Sequence, residues 1–570
     1  MVGGGKMKLK YFSIFIFLFL LICSANAIYA ASDDNILELD QSGNLISQDG
    51  MQLNEIGNAP LTDGDTNVGD SGTNVGDSGS GTGDSGTNVG DSGASGTNST
   101  SGGGTSNGTD NSGSSSSPTT TSTVSSSTTK PDVTSVSSYG GFVSALNNHK
   151  KNIALTADIK ISKPFVIKYD VVIDGENHII DAQKKTCIFK ISGATVTIKN
   201  LKFKNGKADK GGAIYGYKAN LNLKKCTFTS NKATDNGGAI YIYVGKLNVD
   251  DSTFKSNFAG NGGGAIYVST TKLNIQNSKF EANKVESSKK SGHGGALYVC
   301  KKTLSISNTT FKTNTCLSKA CKSHGKATKY QFSGGAIYIS GGSSHTLTKC
   351  TITSSKATNH GGALYFYQSA SVTINKCTFK YNKVVYEDGA AISSNAKKLV
   401  IKNSYFYKNH AYEDGGVMDA LSLNKKKVYI TITGCNFKAN SAYKGAGTFW
   451  MGKKTVFTFK NNNFTSNKAG MGGALFSEAA IAKITNCIFQ GNQAKKVASW
   501  TVKTKGGKIL KHYGGAMMIQ NKNVQITKCI FKKNHAASGG AIFHSGGKLK
   551  LTSNKFSGNT AKKGPKVQKG

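Results

Sequence analysis

Two short segments hold the densest acid chemistry in the chain: Tyr386-Glu387-Asp388-Gly389 and Tyr412-Glu413-Asp414-Gly415, 26 residues apart. Brought together, Glu387, Asp388, Glu413 and Asp414 have three uses. They chelate a cation such as Ca2+, they raise one carboxyl for general-acid work, or they pair with lysines such as Lys383 and Lys408. Ion pairing is the favoured reading, because residues 131–570 hold 67 Lys against only 18 acids. A second set is aromatic: Tyr215, Tyr241, Tyr267, Tyr298, Tyr338 and Tyr365 recur at one position of successive repeats. If the preceding Ile or Leu points inward, strand alternation turns these rings outward. Such a row, about 25 Å long at one ring per strand spacing, suits stacking on the sugars of a linear polymer. The competing use is mutual stabilisation of neighbouring strands. Trp500, in an insertion at 495–513, is a further candidate for ligand contact.

Cysteine offers other chemistry. Cys226, Cys350, Cys377, Cys435, Cys487 and Cys529 each lie two residues before a recurring Phe position, where other repeats place Ser, Thr or Asn. That pattern reads as small buried free thiols, with only Cys350 and Cys377 on consecutive repeats. Cys316 and Cys321 share an insertion with His324 and are candidates for a local disulfide; as metal ligands the three lack a fourth donor. Sequons at Asn98, Asn107, Asn308 and Asn463 are candidate N-glycosylation sites for an exported chain. No residue is assigned a catalytic role. Ca2+ at the acidic doublet is the one cofactor the sequence admits.

The elements that must position these residues come from a repeat. A Gly-Gly-Ala-Ile block places its third residue at Ala213, Ala239, Ala265, Ala296 and onward to Ala541, at spacings of 25–42 residues. A linked Phe-x-x-Asn-x-Ala block runs from Phe203 to Phe556; Gly206 and Ser355 replace its Asn, and Ile352 its Phe. Within a repeat the pattern alternates with period two, as in Ala239-Ile240-Tyr241-Ile242-Tyr243 and Lys246-Leu247-Asn248-Val249. Three short strands cannot bury a face alone, whereas stacked coils can. The fold predicted is all-β: a right-handed parallel β-helix of about 13 rungs, a rod about 60 Å long. Ile and Phe face inward, and the Asn residues stack rung on rung and hydrogen-bond along the column.

The rest of the chain divides around that rod. Residues 1–30 read as a signal peptide: Lys6, Lys8 and Lys10, the apolar run Tyr11–Ile22, then Ala25-Asn26-Ala27. Residues 31–130 are an acidic Gly/Ser/Thr/Asp-rich linker, with 13 acids against Lys130, expected to be disordered. Residues 131–200 form an N-terminal cap with degenerate rungs, including a short helix over Tyr139–Asn148, and 201–570 the repeats. Residues beyond Ala561 are expected to fray.

Net charge then bounds the partners. A rod carrying +49 attracts anionic polysaccharide or a cell-wall polymer, or the surface of another cell. A membrane is a partner only if the signal is uncleaved. Nucleic acid fits worst, because export separates the chain from it and the sequence has no Arg for bidentate contacts.

The pairing of Gly-Gly-Ala-Ile with Phe-x-x-Asn resembles the repeat of the polymorphic membrane protein family of bacterial autotransporter adhesins. It is similar, more closely, to adhesin-like surface proteins of methanogenic archaea. The resemblance covers about 200–560 and implies surface display, with adhesion or cell-wall association. An autotransporter carries a membrane β-barrel of several hundred residues after its repeats, and none is expected here, so the resemblance does not imply the autotransporter mechanism. The function expected is an exported, secreted or cell-surface adhesin that binds cell-wall or partner-cell polysaccharide through its Lys-rich, Tyr-lined rod. The alternatives are a polysaccharide lyase or hydrolase on a pectin lyase-like fold, and a passive wall component. Sparse acids and absent Arg weigh against the enzyme.

Overall fold

A computed structural model describes residues 132–569 other than 288–289, 320–330, 421–425, 496–501, 504–508, 511–512 and 522, and two short strands nearer the N-terminus. The signal at 1–30, nearly all of the linker, and Asn98, Asn107, Cys321, His324 and Trp500 lie outside the described residues. The linker expected to be disordered contains one antiparallel pair, Glu38–Leu39 with Leu45–Ile46.

Residues 132–569 form a right-handed parallel β-helix. Three long parallel sheets of 28, 15 and 11 strands run along it, and the repeats between Lys202 and Ala494 contribute to all three. In the repeat after Gly238, Ile240–Asp250 supplies the first sheet, Thr253–Lys255 the second and Phe258–Ala259 the third. The expected three strands per coil hold for such repeats. From Leu297 onward the first-sheet segment breaks at its corner, for example into Leu297–Cys300 and Leu304–Ser307, giving four.

Register is locked by like side chains. Ile214 pairs with Ile240, which pairs with Ile266, and Phe228 pairs with Phe254, which pairs with Phe280. Those Phe rings stack with centroids 4.6 and 4.7 Å apart and are fully buried. A one-residue slip would expose the whole set, which is why the pattern specifies the register. The repeated Gly pair has a separate reason at each position. Gly237 adopts φ +68, and a Cβ on Gly238 would collide with the carbonyl of Gly264 on the next rung.

At the N-terminal end the helix Tyr139–Asn147 closes the first rung. Ser138 caps it, and Phe142 packs fully buried against Phe165, ring centroids 4.3 Å apart. At the other end the residues expected to fray instead add a strand, Val567–Lys569, paired with Ile542–His544. Val567 retains enough apolar surface to pack against the last turn of the core.

Candidate functional site

Three features of the rod bear on function: the tyrosine row, the acidic doublet and the lysines of the second and third sheets.

The tyrosine row exists in the predicted register, Tyr215 through Tyr365. Its rings lie on one another like coins, with centroids 4.6–5.6 Å apart and planes within 16° from Tyr215 to Tyr338. Each flat face is therefore covered by the next ring. Tyr241 and Tyr338 are only 8% and 6% exposed, and His293 packs on Tyr338 at 4.3 Å. Burial, aided by Tyr217, pushes the Tyr215 phenol up to about 12, and burial holds Tyr267 and Tyr338 well above the ordinary range. The row is a packing element, and the expectation that it offers open faces to sugars is corrected. Alternation told which side the rings leave the strand, but not that the turns before each Gly-Gly fold over them. Further along, the same position holds Trp450, Phe476, Met518 and Phe543, largely buried as a second small core.

Between Tyr365 and Trp450 that column passes through Ser393 and Asp419, and beside this gap lies the acidic doublet. Its four acids have opposite fates. Glu387 pairs with His360 at 2.7 Å and accepts a bond from Asn359 at 3.2 Å; Glu413 pairs with Lys444. The partners are thus His360 and Lys444, not the expected Lys383 and Lys408. Burial opposes charge on both members of the first pair. Their mutual bond outweighs it, lowering the Glu387 carboxyl and raising the His360 imidazole. Asp388 and Asp414 are interior acceptors: the Asp414 amide donates to Asp388 Oδ1 at 2.8 Å, and the Gly445 amide donates to Asp414 Oδ1.

Asp419, which sequence reasoning missed, is 1% exposed, with Oδ2 lacking a hydrogen-bond partner. Burial raises Asp388 to about 6, with Glu413 and Glu387 adding to it against His360 and the Asp414 amide. Burial and then the Asp388 charge hold Asp414 and Asp419 well above the carboxylate range. The signal for Asp419 was an acid at a column position filled mostly by Tyr, Trp and Phe. The doublet does not form a cation cradle: among the described residues no three of His, Cys, Asp and Glu come together as metal donors.

Two internal columns explain other repeated residues. Asn231, Asn257, Asn283 and Asn314 are fully buried; the last three each accept the preceding rung's amide N–H and Nδ2–H on Oδ1, as in Asn257 to Asn283 at 3.1 and 2.9 Å, and Asn231 accepts the Gly206 amide at 2.8 Å. The position two before Phe works alike. The amide of Cys226 donates to Ser252 Oγ at 3.0 Å, and that of Cys435 to Asn462 Oδ1 at 2.9 Å. Cys, Ser, Thr and Asn interchange there because each offers an acceptor. Cys316 is fully buried with Ala259, Val285 and Phe332, and Cys321, its expected disulfide partner, lies outside the described residues. Cys487 and Cys529 also prove to be neighbours, since the insertion at 495–513 separates them only in sequence. Asn308 and Asn463 are exposed, as glycan acceptors must be.

The open face belongs to lysine. In the second sheet Lys204, Lys255, Lys312, Lys380 and Lys438 occupy every second rung of one outward column, with Thr229, Glu281, Thr353 and Tyr407 between them. Four of the five are exposed and Lys380 is partly so. Across the Asn turn, the third sheet aligns Lys207 with Lys232, and Lys356 with Lys383. The period of the first column is two rungs, about 9–10 Å.

Comparison with known proteins agrees with this architecture. The family described as "right handed beta helix region" matches residues 323–474 and 431–568. A pectate lyase-like adhesive domain matches 133–243, and the Chlamydia polymorphic membrane protein repeat matches 251–269. The rod is adhesin-like. Those matches place adhesin-type sequence in the first rungs of this adhesin-like chain and its repeat signature in the Gly-Gly-Ala-Ile segment. A solved structure, PfbA, a surface adhesin of Streptococcus pneumoniae, aligns with 10% identity and a TM-score of 0.27, covering 73% of this chain and 87% of that one. No curated protein matches. Among the described residues no helix is long and apolar enough to cross a membrane.

Proposed function

We propose that this chain is an exported surface adhesin whose rod holds anionic polysaccharide by charge. The observation that carries the reading is the lysine column Lys204, Lys255, Lys312, Lys380 and Lys438, at every second rung of an open sheet face. A linear polyanion lying along the rod meets an ammonium group about every 9–10 Å. Lysine is a hydrated point charge without the fork of arginine, so such a face binds by field rather than by bidentate fit. The adhesive-domain match over 133–243 supports the same assignment, and export is what the sequence of residues 1–30 leads one to expect.

The test is binding of the full chain to polygalacturonate across a salt series, with dextran as the neutral control. Retention that weakens steeply between low and physiological salt, with no retention by dextran, supports the proposal. Equal binding to both polymers, or to neither, counts against it. The same samples discriminate the polysaccharide-active alternative. New reducing or unsaturated sugar ends, lost on Glu387→Gln or Asp414→Asn, would replace the adhesive reading with an enzymatic one.

A further inference from the structure

The column two residues before each Phe places two pairs of cysteines on adjacent rungs. Thr351 pairs with Thr378, which stacks Cys350 on Cys377, and Ile488 pairs with Ile530, which stacks Cys487 on Cys529. All four thiols are free and essentially buried. Within each pair the side chains project the same way. Each thiol donates to the carbonyl two residues earlier: Cys350 to Thr348 and Cys377 to Asn375 at 3.3 Å, Cys487 to Thr485 at 3.3 Å and Cys529 to Thr527 at 3.4 Å. The second sulfur of each pair lies over the backbone of the first, since the amides of Cys350 and Cys487 each donate to it at 3.4 Å. Adjacent rungs stand about 4.8 Å apart, inside the roughly 4.4–6.8 Å between Cα atoms that a disulfide spans. Hydrogen bonds from their stacked partners hold the Cys377 and Cys529 thiols below the ordinary range, making them the better nucleophiles of the two pairs.

We propose that Cys350–Cys377 and Cys487–Cys529 are two inter-rung disulfide sites, closed by exchange with a low-molecular-weight disulfide. The Cys377 thiolate attacks one sulfur of the small disulfide, forming a mixed disulfide and releasing one small thiolate. Cys350, after losing its proton, attacks the Cys377 sulfur of that mixed disulfide. The internal S–S bond forms, the mixed S–S bond breaks, and the second small thiolate leaves. The protein loses two protons and two electrons per bridge, and the small disulfide takes them up to become two thiols. Cys529 and Cys487 react in the same order.

Each bridge ties one rung to the next, and the second fastens the two rungs on either side of the 495–513 insertion, where 42 residues separate the stacked sulfurs. Because the sulfurs are buried, exchange runs through transient opening of the rungs, and mild denaturant accelerates it. The protein contains its own controls. Cys226 and Cys435 sit in the same column beside Ser252, and beside Ser404 and Asn462, and have no stacked cysteine.

The test incubates the reduced full chain with 2-hydroxyethyl disulfide in sub-denaturing urea until its mass is constant. Acid quenching, alkylation in full denaturant and non-reducing peptide mapping follow. The expected map has Cys350 linked to Cys377, Cys487 linked to Cys529, and Cys226 and Cys435 alkylated. In the Cys350→Ser variant, which places at 350 the residue found at Ser404, Cys377 should retain the hydroxyethylthio adduct. Persistent adducts on all four sulfurs of the unsubstituted chain, bridges between non-adjacent cysteines, or no bridge at constant mass would overturn the proposal.

Discussion

Asn440 donates twice to one atom: its amide N–H at 3.0 Å and its Nδ2–H at 3.1 Å both reach Oδ1 of Asn467. Asn467 in turn bonds Asn492 in the same way and donates to the Phe437 carbonyl at 3.0 Å. From Asn382 to Asn559 the inner turn of the rod is thus a continuous amide ladder, each buried Asn amide satisfied from the next rung, and Ser355 separates it from the run Asn231–Asn314. Asn467→Ala strips the acceptor from two buried donors of Asn440 and the donor from Phe437. The expected loss is about 2–4 kcal/mol, since each buried unsatisfied group costs about 1–3 kcal/mol. Asn467→Ser, which imitates Ser355, should lose less. Chemical denaturation of the three proteins measures the order, and an Ala variant as stable as the parent would remove the ladder from the energetics.

The buried acids give stability an inverted pH dependence. Asp388 titrates at about 6 in the fold against an ordinary 3.8, and Asp414 and Asp419 are also raised. The folded chain then binds more protons than the unfolded one, so these groups make stability fall as pH rises from about 4 through 6 and beyond. Asp419→Asn should raise Tm at pH 8 and reduce the decline between pH 4 and 8. A steeper decline in the variant would contradict the assignment.

The Glu387–His360 pair has its own window. The lowered Glu387 contributes stability above its unfolded pKa and loses it as pH falls. The raised His360 contributes below its unfolded value and loses it as pH rises. His360→Gln should therefore cost more stability at pH 5.5 than at pH 8.5. Equal losses at both would indicate a pair that is not ionised in the fold.

The tyrosine row is expected to matter for stability and not for ligand. Tyr267→Leu removes stacking against Tyr241 and Tyr298, at centroid distances of 5.1 and 4.6 Å. The loss should be about 1–2 kcal/mol, since aromatic pairs are worth about 0.5–1.5 kcal/mol beyond burial. Polygalacturonate affinity should stay the same. A marked loss of affinity in a folded variant would restore the sugar-stacking reading.

Each rung also turns through left-handed residues that are not glycine, such as Lys376 at φ 53 and Lys528 at φ 54. A β-branched side chain is costly there. Lys376→Val should be less stable than Lys376→Gly by about 1–2 kcal/mol, readable from their denaturation midpoints. Equal midpoints would mean the turn relaxes out of that conformation.

The repeat made the rod legible. Gly-Gly, Phe and Asn recur because each solves one backbone or packing problem on every rung, and that period survives insertions. What stayed hidden concerns how the turns cover the wall. Tyr267 stands at a position that alternation labels outward, yet the Gly262 turn packs on its ring; Asp388 is largely buried in such a turn, and turn burial carries no period in the sequence. Asp419 was overlooked because a lone acid in a strand resembles a solvated one until its column is known. The adjacency of Cys487 and Cys529 was concealed by a loop that lengthens sequence distance without changing the rung count.

The central claim, that the lysine column is the adhesive surface, is tested most directly by replacing Lys204, Lys255, Lys312, Lys380 and Lys438 together with Gln. The account predicts an unchanged β-sheet circular dichroism spectrum and at least a tenfold fall in polygalacturonate affinity at low salt. A folded variant that binds as tightly as the parent would contradict it.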